Sequence, residues 1–241
     1  FLPKLAGQFA AALLVAGLVP ESRLTAFLPD PGFQVALTVL WIVALTNAFN
    51  FIDNMDGLSA GVGAIASGLL AAVAFLTGRE LMAGFFLALL GAQAGFLAFN
   101  LPPASLYLGD AGSLLVGFLL ATGSALLTYD EAPRSLAPVG VPLLVFGVPL
   151  FDALSVLMIR WREGRPLARG DRSHFSHRLV ALGMGPRQAV FTIWLLTFVT
   201  GMGALVLYHV PPEAVPLLLL QAAGVFLALA LMERAARRRR P

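Results

Sequence analysis

Five side chains able to do acid, base or ligand chemistry fall within ten residues of an otherwise oily stretch: Asn47, Asn50, Asp53, Asn54 and Asp56. A charge near lipid costs roughly 3 kcal/mol or more unless it is paired or hydrated, so such a cluster marks function by default. Carboxylate and amide oxygens suit a hard cation such as Mg²⁺, which keeps waters and substrate phosphates in its shell. Asn50, Asp53 and Asp56 are the candidate ligands or acid–base groups. The competing reading is a polar turn between two membrane helices.

Two further stretches carry similar chemistry. In Asn100–Ser113, Asp110 lies between Gly109 and Gly112 at the entrance to an apolar run. Glycines let a ligand approach the backbone, and a helix N-terminus favours phosphate. An Asp N-cap is the structural alternative. In Gly170–Leu179, Asp171, Arg172, His174, His177 and Arg178 stand close together. His174 and His177, three apart, share a face if the segment is helical. Two ligands without a third argue poorly for zinc. Arginine and histidine suit a diphosphate better, while plain head-group binding would account for most of the arginines but not for the histidines. Asp152 follows Pro149 midway along an apolar run, so either its helix starts late or it faces a polar interior. His209, beside Tyr208 and before Pro211, reads as an interfacial residue.

The elements that must position these groups are apolar. The chain has 241 residues, of which 59% are hydrophobic and 12% charged; soluble domains carry roughly 25% charged residues. The fold class is therefore all-α, a polytopic membrane bundle, with residues 1–241 read as one domain. Eight runs near the length a bilayer demands of a helix are predicted: Leu5–Val19, Phe33–Phe51, Leu58–Thr77, Leu81–Phe99, Gly112–Thr128, Pro142–Trp161, Val190–Tyr208 and Val215–Met232. Continuous apolar runs argue against a barrel, whose strands would alternate. With no cysteine, disulfides and thiolate metal sites are excluded.

Eight crossings put Lys4, the Asp53 turn, the Asn100–Ala111 loop, the basic loop 162–187 and the C-terminal tail on one side. That side holds 13 of the 16 basic residues, which makes it cytoplasmic by the positive-inside rule. Hydropathy alone set the crossings, so the charge bias is an independent check. All three polar constellations fall on that side. No secretory leader is visible at Phe1, and no nucleic-acid partner is expected.

In this order the constellations resemble the polyprenyl-phosphate N-acetylhexosamine-1-phosphate transferases. That family includes bacterial enzymes that start O-antigen, enterobacterial common antigen or teichoic acid linkage units, and the muramoyl-pentapeptide transferase. Asn47–Leu58 resembles its Asn-Ala-x-Asn-x-x-Asp-Gly-x-Asp-Gly-Leu pattern, with Asn54 in place of a glycine. Tyr107–Ser113 resembles its Gly-Asp-x-Gly-Ser element, and Pro149–Asp152 and Asp171–Leu179 resemble later elements.

The resemblance implies that a UDP-N-acetylhexosamine, GlcNAc first, donates its sugar phosphate to polyprenyl phosphate in a bacterial inner membrane. The active face and C-terminus would be cytoplasmic, and Mg²⁺, or Mn²⁺ in its place, would assist. It implies Asp110 and Asn50 as metal ligands, with Asp53, Asp56 and Asp110 as catalytic groups. Asn47, Asn54, Gly109, His174, His177 and Arg178 would hold the sugar nucleotide. Ser176 stands where the family carries a further histidine, and the Asp-Arg-x-His form resembles the GlcNAc branch more than the muramoyl branch.

The family also carries an adjacent Asp-Asp pair upstream. No such pair occurs in these 241 residues, and Phe1–Gln8 resembles the segment just after it. The expectation is that two or three N-terminal helices are missing and that this fragment alone is inactive. The alternatives are a muramoyl-pentapeptide phosphotransferase, an ion-coupled transporter, and a structural anchor acting through its basic loop. The oligomeric state, a homodimer included, stays open.

Overall fold

The structure is a computed structural model that describes residues 2–24, 28–128, 136–166 and 173–238, with the backbone alone for 235–238. Asp171, Arg172, most of the 129–140 loop, Arg239 and Arg240 lie outside the described residues. The described elements are helical throughout, without strands: α1 Leu2–Leu18, α2 Pro31–Ile52, α3 Leu58–Leu76, α4 Glu80–Asn100, α5 Gly109–Leu127, α6 Ala137–Val145, α7 Gly147–Arg162, α8 Phe175–Ala181, α9 Pro186–Val206 and α10 Val215–Arg238.

Each of the eight predicted runs becomes helix. Six are long and apolar enough to cross a membrane, or seven when the bent pair α6–α7 is taken as one span. The remaining run, α1, is a 17-residue apolar helix. The sixth run is broken at Phe146 by a bend of 72°. Pro142 inside α6 and Pro149 in the first turn of α7 each remove a backbone donor and disfavour an unbroken helix there.

Local chemistry sets the helix boundaries. Asp30 caps α2 by accepting from the Phe33 amide at 2.6 Å, and Pro31 takes the first helical position. After Ile52 the chain turns through Asp53–Gly57 into α3. Gly57 takes the left-handed φ of 75° that this turn requires. Pro102 and Pro103 follow α4 closely, where a helix cannot continue.

The bundle is built around α3, 78% of whose apolar stretch is buried, against 6% for that of α10. α3 packs against α4, α5 and α9, while α2 packs against α1, α5 and α7. Small residues allow these close approaches, as is usual where helices meet inside a bilayer. The contact of α2 with α5 depends on one of them. A Cβ added at Gly117 of α5 would lie 2.8 Å from the Thr46 Cα of α2. One turn along from that crossing, Asn50 meets Ser113.

Candidate functional site at one end of the bundle

Asn50 occupies the last turn of α2, where the close α2–α5 crossing aims it at the first turn of α5. Its amide Nδ2 donates to Asp110 Oδ1 at 2.7 Å and to Ser113 Oγ at 2.9 Å. Ser113 in turn donates to the Gly109 carbonyl. Lys4, in the first turn of α1, completes the group. Its ammonium lies 2.8 Å from Asp110 Oδ2 and 3.4 Å from Asn50 Oδ1. One turn below, Asn47 donates to Gln8 Oε1 at 2.6 Å and to the Val43 carbonyl at 2.8 Å, tying α2 to α1. Asp110 is well exposed, with 72% of its side-chain surface open. Gly109 has a φ of 59°, and nothing would obstruct a Cβ there.

Asp53 follows the end of α2 and is half-buried. Burial, and then the charge of Asp110, push its carboxyl up to about 6 from the usual 3.8. The two carboxylates are thus electrostatic neighbours. Asp56 turns the other way and accepts the Ala104 amide at 3.0 Å. Asn100 accepts the Gly57 amide at 2.9 Å and donates to the Leu106 carbonyl at 2.7 Å. These bonds clamp the α2–α3 turn against the α4–α5 loop.

The third constellation arrives at the same end through α7 and α8. Asn54 donates to the Phe51 carbonyl and accepts from Ser176 Oγ. His174 precedes α8, its ring centroid 5.9 Å from that of Phe51. Its Nδ1 lies 2.8 Å from Asp152 Oδ2, and the Phe175 amide donates to Asp152 Oδ1. Asp152 is buried one turn into α7. Both halves of the sequence expectation for it hold: its helix starts late, at Gly147, and its carboxyl faces polar partners. His177 is half-buried on α8. Arg178 is buried and engaged elsewhere: its Nε donates to both Glu233 oxygens of α10, and one Nη donates to the Ser173 carbonyl.

The structure therefore brings Asn50, Asp110 and Asp53 together, with Asn47 one turn below, Asp56 on the adjoining loop and Asn54 linked to the histidine segment. Sequence reasoning treated Lys4 only as a marker of membrane side and Ser113 only as part of a motif. Gln8 and Glu233 were missed altogether. Lys4 stands apart from the acidic residues in sequence, and only its position in the first turn of a helix antiparallel to α2 hinted at the contact. Among the described residues no group of three or more His, Cys, Asp or Glu gathers closely enough to hold a metal through side chains of those types.

Comparison with known proteins adds an independent line. The sequence profile of glycosyl transferase family 4 matches residues 1–128. A probable undecaprenyl-phosphate N-acetylglucosaminyl 1-phosphate transferase of Bacillus subtilis is 37% identical over 171 residues, covering 71% of this chain and 47% of the relative. A decaprenyl-phosphate N-acetylglucosaminephosphotransferase of Mycobacterium tuberculosis is 31% identical over 230 residues, 84% of this chain and 56% of the relative. A phospho-N-acetylmuramoyl-pentapeptide-transferase of Anoxybacillus flavithermus is 32% identical over 203 residues, 79% and 59%. The chain spans about half the length of the curated relatives it matches. With the family profile covering more than half of its residues, this chain belongs to glycosyl transferase family 4.

Proposed function

We propose that the whole protein moves N-acetylhexosamine-1-phosphate, with GlcNAc as the sugar, from a UDP-sugar to polyprenyl phosphate at the cytoplasmic face of a bacterial inner membrane. An oxygen of the lipid phosphate bonds to the β-phosphorus, the bond to the α-phosphate oxygen breaks, and UMP leaves. The observation that carries this reading is the convergence of Asn50, Asp110, Asp53 and Lys4 at one end of the bundle. Phosphoryl transfer between two anionic partners needs positioning and charge neutralisation more than covalent help. The names of the relatives support the lipid acceptor, and family membership favours a transferase over the transporter or anchor.

The donor set fits a hard cation. Asp110 and Asn50 offer oxygens, and a cationic group of this chain, Lys4, already rests between them. Asp110 and Asn50 would hold Mg²⁺ or Mn²⁺, with water and substrate phosphate completing a shell the protein leaves open. When bound, the cation would offset charge on the phosphates. The remaining roles fall to the chain itself. Asn50 orients the Asp110 carboxylate, Lys4 supplies a fixed positive charge, and Asp53 tunes the field. Asn54 and Ser176 hold the histidine segment near the carboxylates.

The test is UMP release by the whole protein from a panel of UDP-sugars with polyprenyl phosphate, with and without Mg²⁺. Release from UDP-GlcNAc that needs both lipid and divalent cation is expected. Release only from the UDP-muramoyl-pentapeptide would move the chain to the muramoyl branch, and no release from any donor would overturn the reading.

A further inference from the structure

We propose that Asp152 is a positioning residue that fixes the proton and the aim of His174, so that the imidazole Nε2 is presented to the phosphate-bearing substrate. The site so described rests on the transferase reading for what Nε2 meets, but not for the pairing itself.

The geometry begins at the break after α6. Because α7 starts afresh at Gly147, its second turn brings Asp152 to the level of the α8 entrance. The carboxylate has only 2% of its surface exposed, yet both oxygens are used on one short segment. Oδ1 accepts from the Phe175 amide and Oδ2 meets His174 Nδ1 at 2.8 Å. With Asp152 as the carboxylate, Oδ2 can only accept, and Nδ1 then carries the proton. The outward nitrogen is then Nε2, whether the ring is neutral or charged.

Nε2 is not consumed by the fold. Among the described residues it has no hydrogen-bond partner, and it does not appear among the sealed, unpartnered polar atoms. The ring is nearly buried, with 7% of its side chain exposed. The ring is also held laterally. Phe51 packs against its edge from the residue next to Asn50, and Ser176 binds Asn54. A purely structural Asp at this depth would need only the Phe175 amide to cap the helix. The second oxygen instead sets the orientation of a side chain whose other nitrogen has no partner among the described residues. This is the arrangement in which an outer carboxylate holds a functional imidazole in one tautomer.

Asp152→Asn separates orientation from packing, because the amide can donate to Nδ1 and turn the proton over to Nε2. In the whole protein labelled with ¹⁵N-histidine, the His174 signal is assigned by its loss in His174→Asn. We expect a protonated Nδ1 in the wild type and a protonated Nε2 in Asp152→Asn. UMP release should fall about 10- to 100-fold, in kcat more than in KM, the range for a residue one step behind a functional ligand. Asp152→Glu should recover part of the rate. An unchanged ¹⁵N pattern in Asp152→Asn, or wild-type turnover despite a changed one, overturns the proposal. Should Asp152→Asn fail to fold, His174→Asn decides. It keeps a donor for Asp152 but has no outward nitrogen, and full activity in that variant overturns the proposal. A wild-type protein inactive on every UDP-sugar would sink the transferase reading, whereas the ¹⁵N comparison would still judge the pair.

Discussion

Asp110 and Asp152 are the same side chain in the same oily chain, and the fold treats them in opposite ways. Asp110 sits in the first turn of α5, 72% exposed, beside the ammonium of Lys4. Asp152 sits inside, 2% exposed, with both oxygens committed to the start of α8. A carboxylate that water can reach keeps lone pairs for a ligand at little structural cost. One removed from water must spend its acceptors on the protein, because an unpaired buried acceptor or charge is expensive. The first can serve chemistry directly; the second can serve it only by holding something else.

Four comparisons break or sharpen that contrast. The largest effect is expected from Asp110→Asn, which keeps the shape but removes the charge. UMP release by the whole protein should fall about 100- to 1,000-fold, the scale of losing a preorganised electrostatic group, while the melting temperature in detergent stays near wild type. Wild-type turnover would erase the functional half of the contrast.

Next is Asp152→Ala, which strands the Phe175 amide and His174 Nδ1. Leaving buried donors unpaired costs about 1–3 kcal/mol, so thermal stability should drop clearly, whereas Asp110→Ala should barely move it. Equal losses in both would show that exposure does not separate them.

Asp53 lies between the two extremes, half-buried and held near 6 rather than 3.8. Its pKa is raised in the folded protein, so the ionised folded form is the disfavoured one. Stability should therefore decline as pH rises from about 4 through about 6 and level off above that. Asp53→Asn should flatten that part of the profile. If the ionised form serves transfer, UMP release should climb around pH 6, where the folded group ionises, and added Mg²⁺ should draw that midpoint down.

The smallest effect belongs to Lys4→Met. The Lys4–Asp110 pair is open to water, so its loss should change stability by under about 1 kcal/mol in a denaturation curve. A larger loss would mean that the exposed end of the bundle is held together by this pair.

How much of this was legible beforehand follows from the range of the forces involved. Hydropathy is a local property, so all eight apolar runs could be marked from the chain and all became helix. The expected bias of 13 basic residues to one side follows from counting the same runs as eight crossings. Asn50, Asp53 and Asp110 could be named because polar groups at oily helix ends are rare. The break at Phe146 was half visible: Pro142 and Pro149 were in view, but a continuous apolar run hid the 72° bend. Ser176 was read as a departure from a histidine pattern, and its bond to Asn54, 122 residues away, had no local signal.

Composition and spacing alone thus determined the membrane bundle, the place of each apolar helix along the chain apart from the α6–α7 break, and the residue types that gather at one end. Which of them touch was decided only by packing. Gly117 lets α5 lie against α2, and that approach carries Asp110 to Asn50 and Lys4. The bend before α7 takes Asp152 away from them to His174. Periodicity along a helix is written into neighbouring residues, whereas the pairing of two carboxylates with different partners depends on how closely separate helices can approach.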